Sequence, residues 1–323
     1  MKKVLVTGIN GLLGTNLTVD LLTKGYLVKG LIRDKSKFKG HQHQNLELIQ
    51  GNLFDDITPY LHQVDILIHV AAETSQNLPA YSDYWRINYN ATIQLFNSAI
   101  TCHLKKFIFI STANTMGYGS LEDLGTEEKK IRYPFSDSFY AKSKLEAENY
   151  LLANKYKIDV NIIHPGFMLG AFDTKPSSGQ IILMAWKKKI IFYPPGGKNF
   201  VHVKDVSKGI IKSLENGKNG ERFLLVNQNL SYFNFFKKLN SVSKQNPLMI
   251  KIPRSILISL GYLGDLARYF GIKSSLSSNN MRILCINNFY SNSKSVKDLE
   301  MDYVSIDSAI DDAISYFKNT FHV

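Results

Sequence analysis

The sequence has 323 residues, of which 44% are apolar and 20% are charged. This length supports one large α/β unit with an added lobe, and this composition excludes a disordered or fibrous chain. Thirty-nine basic residues against 27 acidic ones give a formal net charge of +12, which favours anionic partners. The lysines are scattered, with Lys187-Lys188-Lys189 as the tightest run, so we expect a solvated basic surface and no nucleic-acid partner.

Cysteine and histidine usage bears on metals and on the cellular compartment. Only Cys102 and Cys285 occur, and no histidines cluster at metal-ligand spacing, so we predict neither a disulfide framework nor a metal site. A reducing, cytoplasmic location is expected. The first residues, MKKVLVTG, are typical of a strand and a turn rather than of a signal peptide.

The first two-thirds of the chain alternates short β-branched segments with helical intervals. This is the pattern of βα repeats around a doubly wound parallel sheet, the Rossmann type of α/β fold. The predicted buried strands are residues 4–7, 27–32, 46–50, 65–70, 107–111 and 160–164. The predicted helices of this part are residues 12–24, 84–101 and about 138–155.

Glycine and proline clusters after Gly170 indicate a change of architecture. We assign residues 1–170 to a first domain and residues 171–199 and 228–287 to a smaller C-terminal lobe. Residues 200–227 and parts of 288–323 are predicted to return to the first domain, and 306–317 has helical spacing. The most apolar later segment, 256–263, is too short to cross a bilayer. We expect a core helix there, with a membrane or partner surface as the alternative.

Three glycines follow the first predicted strand directly, in the segment TGINGLLG. Gly8, Gly11 and Gly14 let the backbone turn sharply and approach a pyrophosphate, while the N–H groups of the next helix point at its negative charge. The strand, turn, helix and second strand occur in the required order, which predicts a dinucleotide site. Residues 1–170 are therefore expected to be a dinucleotide-binding domain, and the C-terminal lobe is expected to bind substrate. The residues expected to contact the cofactor at this turn are Thr7, Gly8, Asn10, Gly11, Leu12, Leu13 and Gly14.

The TGxxGxxG spacing resembles the extended short-chain dehydrogenase/reductase family, also described as the NAD-dependent epimerase/dehydratase family. Members that prefer NAD carry an acid at the end of the second strand, where this chain has Ile32 followed by Arg33. In similar members an arginine there meets the 2′-phosphate with its planar fork. The resemblance therefore implies NADP (NADPH) rather than NAD.

Further matches to the family follow in chain order. The resemblance places Asn52 and Leu53 beside the adenine and implies that Asn88 pins neighbouring backbone. It also places Pro165 and Gly166 where their backbone groups meet the nicotinamide. The other cofactor contacts that we infer from it are Val70, Ala71, Ala72 and His164, and a satisfied core histidine is the alternative for His164.

Tyr140 and Lys144 stand one helical turn apart in the segment FYAKSK. Reduction of a ketone leaves an alkoxide that needs a proton, and a tyrosine is a better donor when a lysine ammonium lowers its pKa. A solvated helix face is the alternative for this pair taken alone. The resemblance implies that Tyr140 is the acid/base, that Lys144 lowers its pKa and anchors the ribose, and that Thr112 binds the carbonyl.

The resemblance leaves the reaction open, because one catalytic triad serves several reactions in the family. Dehydratases carry an acidic pair after the catalytic threonine, where this chain has Ala113 and Asn114, so dehydration is not expected. Overall the chain is most similar to dihydroflavonol-reductase-like and hopanoid-associated sugar-epimerase-like members. We expect a small-molecule carbonyl or alcohol as substrate, and a homodimer is possible because family members commonly pair through two helices.

The leading hypothesis is an NADPH-dependent reductase of a hydrophobic or aromatic ketone or aldehyde. An NAD(P)-dependent sugar or sugar-nucleotide epimerase is the alternative, and a non-catalytic NADPH-binding sensor is a third. Phe167 and Lys198 stand where epimerases place residues that face a diphosphate, and the aromatic side chain suits an apolar substrate. The expected substrate contacts are Glu73, Thr112, Phe167 and Lys198.

Overall fold

The structure is a computed structural model that describes residues 2–75, 78–272, 274 and 276–321. Up to residue 165, strands and helices alternate. The strands are β1 (Lys3–Thr7), β2 (Leu27–Ile32), β3 (Leu46–Gln50), β4 (Ile66–His69), β5 (Lys106–Ile110) and β6 (Asp159–Pro165). The helices are α1 (Leu12–Thr23), α2 (Thr58–Leu61), α3 (Tyr81–Trp85), α4 (Ala91–Thr101) and α5 (Phe139–Ala153). A π-helical turn, Arg86–Asn90, joins α3 to α4.

The remainder of the chain is more mixed in its secondary structure. Its strands are β7 (Phe167–Leu169), β8 (Ile190–Tyr193), β9 (Gly197–His202), β10 (Glu221–Leu225), β11 (Gln228–Ser231), β12 (Leu248–Lys251) and β13 (Asn287–Asn288). Its helices are α6 (Gln180–Leu183), α7 (Val203–Asn216), α8 (Tyr232–Val242), α9 (Arg254–Tyr269), α10 (Ser278–Leu284), α11 (Ser293–Asp298) and α12 (Ile306–Phe321).

Seven parallel strands form the central sheet, in the order β10-β6-β5-β4-β1-β2-β3. The predicted α/β fold with a parallel sheet is confirmed. The chain runs outward from β1 to β3 and then crosses to β4 on the other side of β1. Such a reversal opens a crevice at the carboxyl ends of β1 and β4, where ligands bind in sheets of this kind.

Helices cover both faces of the central sheet, which is why its strands read as continuous apolar runs. In β1, Val4 and Val6 point to one face and join a core with side chains of α1 and α7. Leu5 points to the opposite face and packs in a second core with side chains of α4 and α5. β1 is therefore buried between the two cores.

A second region packs beside the sheet around its own core. There, β9 pairs with β7, β11 and β13 in a small sheet, and β12 pairs with β8 in a separate two-stranded ribbon. A third core of aromatic and aliphatic side chains joins this region to α8 and α12. The strand and helix predicted at 200–210 are β9 and α7. The strand that returns to the central sheet, however, is β10.

The apolar segment 256–263 is helical, as predicted, but it is not a core helix. Ile256, Tyr262 and Leu263 are 50%, 55% and 61% exposed, and only one face of α9 packs on the protein. The expectation of a buried helix is therefore wrong, because apolar spacing predicts the helix but not what covers it. Within the described part of the chain, no helix combines the length and apolarity needed to cross a membrane.

Candidate active site

The glycine turn connects β1 to α1 at the crevice. Gly8 has a φ of +68°, and a Cβ on it would lie 2.7 Å from the Ala71 nitrogen at the end of β4. A Cβ on Gly14 would lie 2.1 Å from the Gly8 carbonyl oxygen. The Gly11 N–H donates to that same oxygen over 3.1 Å. Only glycine fits at Gly8 and Gly14, and the open N-terminus of α1 beside them fits a pyrophosphate.

A buried hydrogen-bond chain fixes the ends of β1 and β4 to each other. Thr7 Oγ1 accepts from the Ala71 N–H over 3.2 Å and lies 2.7 Å from His69 Nδ1. His69 Nε2 lies 3.0 Å from Thr92 Oγ1, which in turn donates to the Asn88 carbonyl. This direction assigns the neutral imidazole with its proton on Nε2. Burial lowers the pKa of His69 to about 3, so it is a structural group here.

Asn88 ties the loop after β4 to α5. Its Oδ1 accepts from the Glu73 N–H over 2.8 Å, while its Nδ2 donates to the Glu73 carbonyl and to Ser143 Oγ. This is the backbone-pinning role predicted for Asn88. The Glu73 carboxylate accepts from the Ser75 N–H over 2.8 Å. The Glu73 side chain thus contacts its own loop in this arrangement.

The ends of β2 and β3 lie beside the glycine turn along the same edge. Ile32 is buried as the last residue of β2, and Arg33 after it is exposed. The Arg33 guanidinium forms no ion pair with the described residues. Asn52, just past β3, is also exposed, and its N–H donates to the Asp55 carboxylate over 2.7 Å. Arg33 is therefore free to meet an anion at this edge.

Tyr140 and Lys144 lie on one face of α5, which begins where Ser138 Oγ accepts from a backbone N–H. The Thr112 side chain, just beyond β5, lies close enough to the Tyr140 hydroxyl to affect its pKa. Lys144 Nζ donates to the Ile110 carbonyl oxygen over 2.6 Å, at the last residue of β5. Both side chains therefore converge on the carboxyl end of one strand, next to the crevice.

Burial dominates the electrostatics of this pair. It raises the pKa of Tyr140 to about 12, against a lowering by the nearby Thr112 side chain. It lowers the pKa of Lys144 to about 7, although the nearby Glu148 carboxylate raises it. In this arrangement the phenol keeps its proton, and the shift is opposite to the lowering expected from a lysine one turn away. The Lys144 ammonium is instead engaged by the Ile110 carbonyl.

A buried carboxylate one helical turn after Lys144 was missed by the sequence analysis. Glu148 accepts a hydrogen bond from Ser111 Oγ, and its Oε2 lies 3.0 Å from His164 Nε2. Burial alone would raise the pKa of Glu148, but the neighbouring His164 and the hydrogen bonds from His164 and Ser111 keep it below its usual value. The four-residue spacing of Tyr140, Lys144 and Glu148 was the available signal. The Nε2 atom of His164 is thus occupied by its contact with Glu148.

Two residues predicted to contact substrate meet at the start of the small sheet. Lys198 Nζ lies 4.6 Å from the centre of the Phe167 ring, and that ring packs edge-on against Phe200. The Lys198 side chain is partly accessible, but its ammonium lies deep enough that burial lowers its pKa to about 8. Gly166, just before Phe167, donates its N–H to the Leu225 carbonyl over 3.0 Å. An aromatic ring and a cation thus stand side by side.

The described residues contain no group of three or more His, Cys, Asp or Glu side chains placed to hold a metal ion. The predicted residues fall into three groups along the crevice. The glycine turn and the ends of β2, β3 and β4 form one end, and Thr112, Tyr140 and Lys144 form the middle. Phe167 and Lys198 lie in the adjoining small sheet.

Comparisons with known proteins agree with this arrangement. The model of the "NAD dependent epimerase/dehydratase family" matches residues 4–226. A Synechocystis protein that bears the name of a dihydroflavonol 4-reductase is 25% identical over 98% of this chain and 95% of its own length. The sterol-4-alpha-carboxylate 3-dehydrogenase (decarboxylating) of Dictyostelium discoideum is 29% identical over 81% of this chain and 84% of its own length.

A solved structure extends the likeness to the whole fold. The crystal structure of the protein gox2253 has a TM-score of 0.84 and 28% sequence identity, covering 99% of this chain and 98% of its own. The similarity therefore includes the small sheet and the C-terminal helices as well as the central sheet.

Proposed function

Because this chain belongs to the NAD dependent epimerase/dehydratase family, whose members are NAD(P)-dependent enzymes of the extended short-chain dehydrogenase/reductase type, we propose that it is an oxidoreductase. It reduces a ketone or aldehyde of a hydrophobic or aromatic small molecule by hydride transfer from NADPH, or runs the reverse alcohol oxidation. The observation that carries the proposal is the convergence of Tyr140, Thr112 and the buried Lys144 on the carboxyl end of β5.

The side chains at the end of β5 supply the proton chemistry. Thr112 lies near the Tyr140 hydroxyl, so a substrate oxygen placed between them would accept from both hydroxyls. The raised pKa of Tyr140 keeps the phenol protonated, which is the form needed to give a proton to a developing alkoxide. Lys144, held at the Ile110 carbonyl one helical turn from Tyr140, places a positive charge near the phenol when it is protonated.

The glycine turn, the open start of α1 and the edge of the sheet would hold the dinucleotide, which supplies the hydride when bound. The turn residues would hold the pyrophosphate, and Asn52 and Leu53 would lie at the adenine. Val70, Ala71 and Ala72 would lie under the cofactor, with Lys144 at the ribose and Pro165 and Gly166 at the nicotinamide. Arg33 is exposed beside the turn, which supports NADPH as the preferred form.

The pairing of Phe167 with Lys198 supports an apolar substrate that carries one anionic or strongly accepting group. The ring offers a flat apolar contact, and the Lys198 ammonium forms no ion pair with the described residues. The Dictyostelium relative is named for a sterol carboxylate, a compound that combines an apolar ring system with a carboxylate. That name fits the same combination of contacts.

A sugar or sugar-nucleotide epimerase is the second candidate, and Lys198 is the observation that favours it, because an ammonium there would also meet a diphosphate. Phe167 counts against it, since its ring covers the ammonium on one side. The two reactions differ in their use of cofactor. A reductase consumes NADPH in step with product, whereas an epimerase returns its cofactor unchanged in each cycle.

The test is a panel of hydrophobic and aromatic ketones and aldehydes, with and without a carboxylate, followed by NADPH absorbance. We expect wild type to oxidise NADPH in equal amounts to the alcohol formed, and Tyr140→Phe to lose this activity. Turnover of sugar nucleotides without net NADPH oxidation would replace the reductase with the epimerase. NADPH binding without turnover on either class of substrate would contradict both.

A further inference from the structure

Helix α9 presents large apolar side chains to solvent along one face. Ile256, Leu260 and Leu263 recur at four- and three-residue spacing, so they share a face, and each is at least 39% exposed. The exposed apolar residues continue beyond the helix to Ile272. We call this set the α9 surface, and its members are Ile256, Leu260, Leu263, Leu266, Tyr269, Phe270 and Ile272. Isolated exposed apolar residues are common, but a contiguous set of this kind marks an interaction site.

The opposite face of α9 fixes this orientation. Leu257 is buried there, and Gly261 and Gly264 lie against α10 and the residues before it. A Cβ on Gly261 would lie 2.7 Å from the Ser278 Cα, and one on Gly264 would lie 2.4 Å from the Leu276 carbonyl oxygen. One leucine and two glycines thus face the protein, and most of the other large apolar side chains of α9 face solvent. The apolar side chains of the α9 surface are therefore exposed because the close packing at Gly261 and Gly264 turns the other face of the helix toward the protein.

A second exposed apolar surface precedes α9 in the chain. In the ribbon of β8 and β12, Ile190 pairs with Leu248 and Phe192 pairs with Ile250, and all four side chains are exposed. These are alternate residues, so they lie on one face of the ribbon. The chain passes from β12 into α9 through Pro253.

The segments of the chain that contain these two surfaces carry almost all of its excess positive charge. Residues 171–199 and 228–287 contain thirteen Lys and Arg but only two acidic residues, Asp173 and Asp265, and so account for eleven of the twelve net charges. Lys187, Lys188 and Lys189 stand exposed immediately before β8. Lys251 and Arg254 are exposed between β12 and α9. Exposed basic residues therefore flank both exposed apolar surfaces in the chain.

We propose that the α9 surface and the β8–β12 ribbon dock on the surface of an anionic phospholipid bilayer. The apolar side chains would enter the boundary between headgroups and acyl chains, and the lysines would meet the lipid phosphates. A nucleic acid would use the lysines but leave the apolar face in water. A second copy of this chain would bring like charge against like charge. This inference does not depend on the reaction that the protein catalyses.

The experiment is co-sedimentation of the full chain with vesicles of phosphatidylcholine alone and of equal parts phosphatidylcholine and phosphatidylglycerol. We expect binding to the anionic vesicles that weakens as salt is raised. Each basic residue near an anionic surface contributes roughly a fivefold factor, so Lys188→Glu combined with Lys189→Glu is expected to weaken binding by about 25-fold or more. The control Lys297→Glu, on α11 outside these segments, is expected to change it little.

The apolar contribution has its own matched pair of variants. Leu263→Ser removes a 61% exposed leucine of α9 and is expected to weaken binding about tenfold. Leu121→Ser removes a 65% exposed leucine elsewhere and is expected to leave it unchanged. Thermal unfolding of each variant checks that the fold is kept.

Three results would overturn the proposal. The first is no sedimentation with either vesicle. The second is an equal effect of Leu263→Ser and Leu121→Ser. The third is a stable dimer of wild type, by analytical ultracentrifugation, that Leu263→Ser dissociates.

Discussion

Replacing Arg33 with alanine is expected to separate NADPH from NADH. Arg33 is exposed at the end of β2 and forms no ion pair with the described residues. No carboxylate among those residues therefore competes with a cofactor phosphate for its guanidinium. A charge-assisted hydrogen bond from such a group contributes about 1.5–3 kcal/mol. Exposure to water places the value near the lower part of this range, and about 2 kcal/mol corresponds to roughly 30-fold in Kd. NADH, which lacks the 2′-phosphate, should lose little affinity.

The assay is titration of each nucleotide by its fluorescence, with wild type, Arg33→Ala and Arg33→Lys. The lysine variant keeps the charge but loses the planar fork, so its loss for NADPH is expected to fall between the other two. Lys24→Ala, which removes an exposed basic residue just past the far end of α1, serves as the control and should change neither affinity. Equal losses of NADPH and NADH in Arg33→Ala would refute the reasoning.

Two further substitutions test the turn and the buried lysine. Gly14→Ala places a Cβ 2.1 Å from a carbonyl oxygen and is expected to cost about 1–3 kcal/mol and to abolish nucleotide binding. Gly25→Ala also lowers stability, because Gly25 has a φ of +81°, but its Cβ meets nothing within 4 Å and it should keep nucleotide binding. Titration compares the two variants at a temperature where thermal unfolding shows both folded, and an equal loss of binding contradicts the account. The pKa of Lys144 is about 7 in the folded protein against an ordinary 10.5, so between those values the unfolded chain binds more protons. The free energy of unfolding of wild type, relative to that of Lys144→Met, should therefore rise with pH between these two values, by up to about 1.4 kcal/mol per pH unit. Below pH 7 it should stay level. Urea unfolding from acid to alkaline pH measures this, and a difference that does not change with pH would show that Lys144 is not buried as described.

Much of the central sheet was predictable because parallel strands are buried on both faces and leave continuous apolar runs. β2 and β3 have the predicted bounds, and the glycine turn lies where its spacing placed it. The membership of β10 in the sheet was harder to see. It pairs with β6, whose partner residues lie 60 positions earlier in the chain, and no local pattern encodes that pairing.

The electrostatics and the outer surface could not be predicted from spacing. The four-residue step from Tyr140 to Lys144 correctly places both on one helix face, but the Ile110 carbonyl that holds the ammonium comes from another strand. Glu148 and His164 are 16 residues apart and meet only because α5 packs across β6. The apolar spacing of α9 indicated a helix, whereas its exposure follows from Gly261 and Gly264, which turn the small face inward.

The most direct test of the catalytic account is the single-turnover rate of NADPH oxidation in Tyr140→Phe, with Tyr150→Phe on the same helix as the control. General acid catalysis contributes about 10²–10⁴-fold, so Tyr140→Phe should lose a factor in this range, with NADPH affinity unchanged and Tyr150→Phe at the wild-type rate. Equal rates in wild type and Tyr140→Phe would contradict the assignment of Tyr140 as the proton donor.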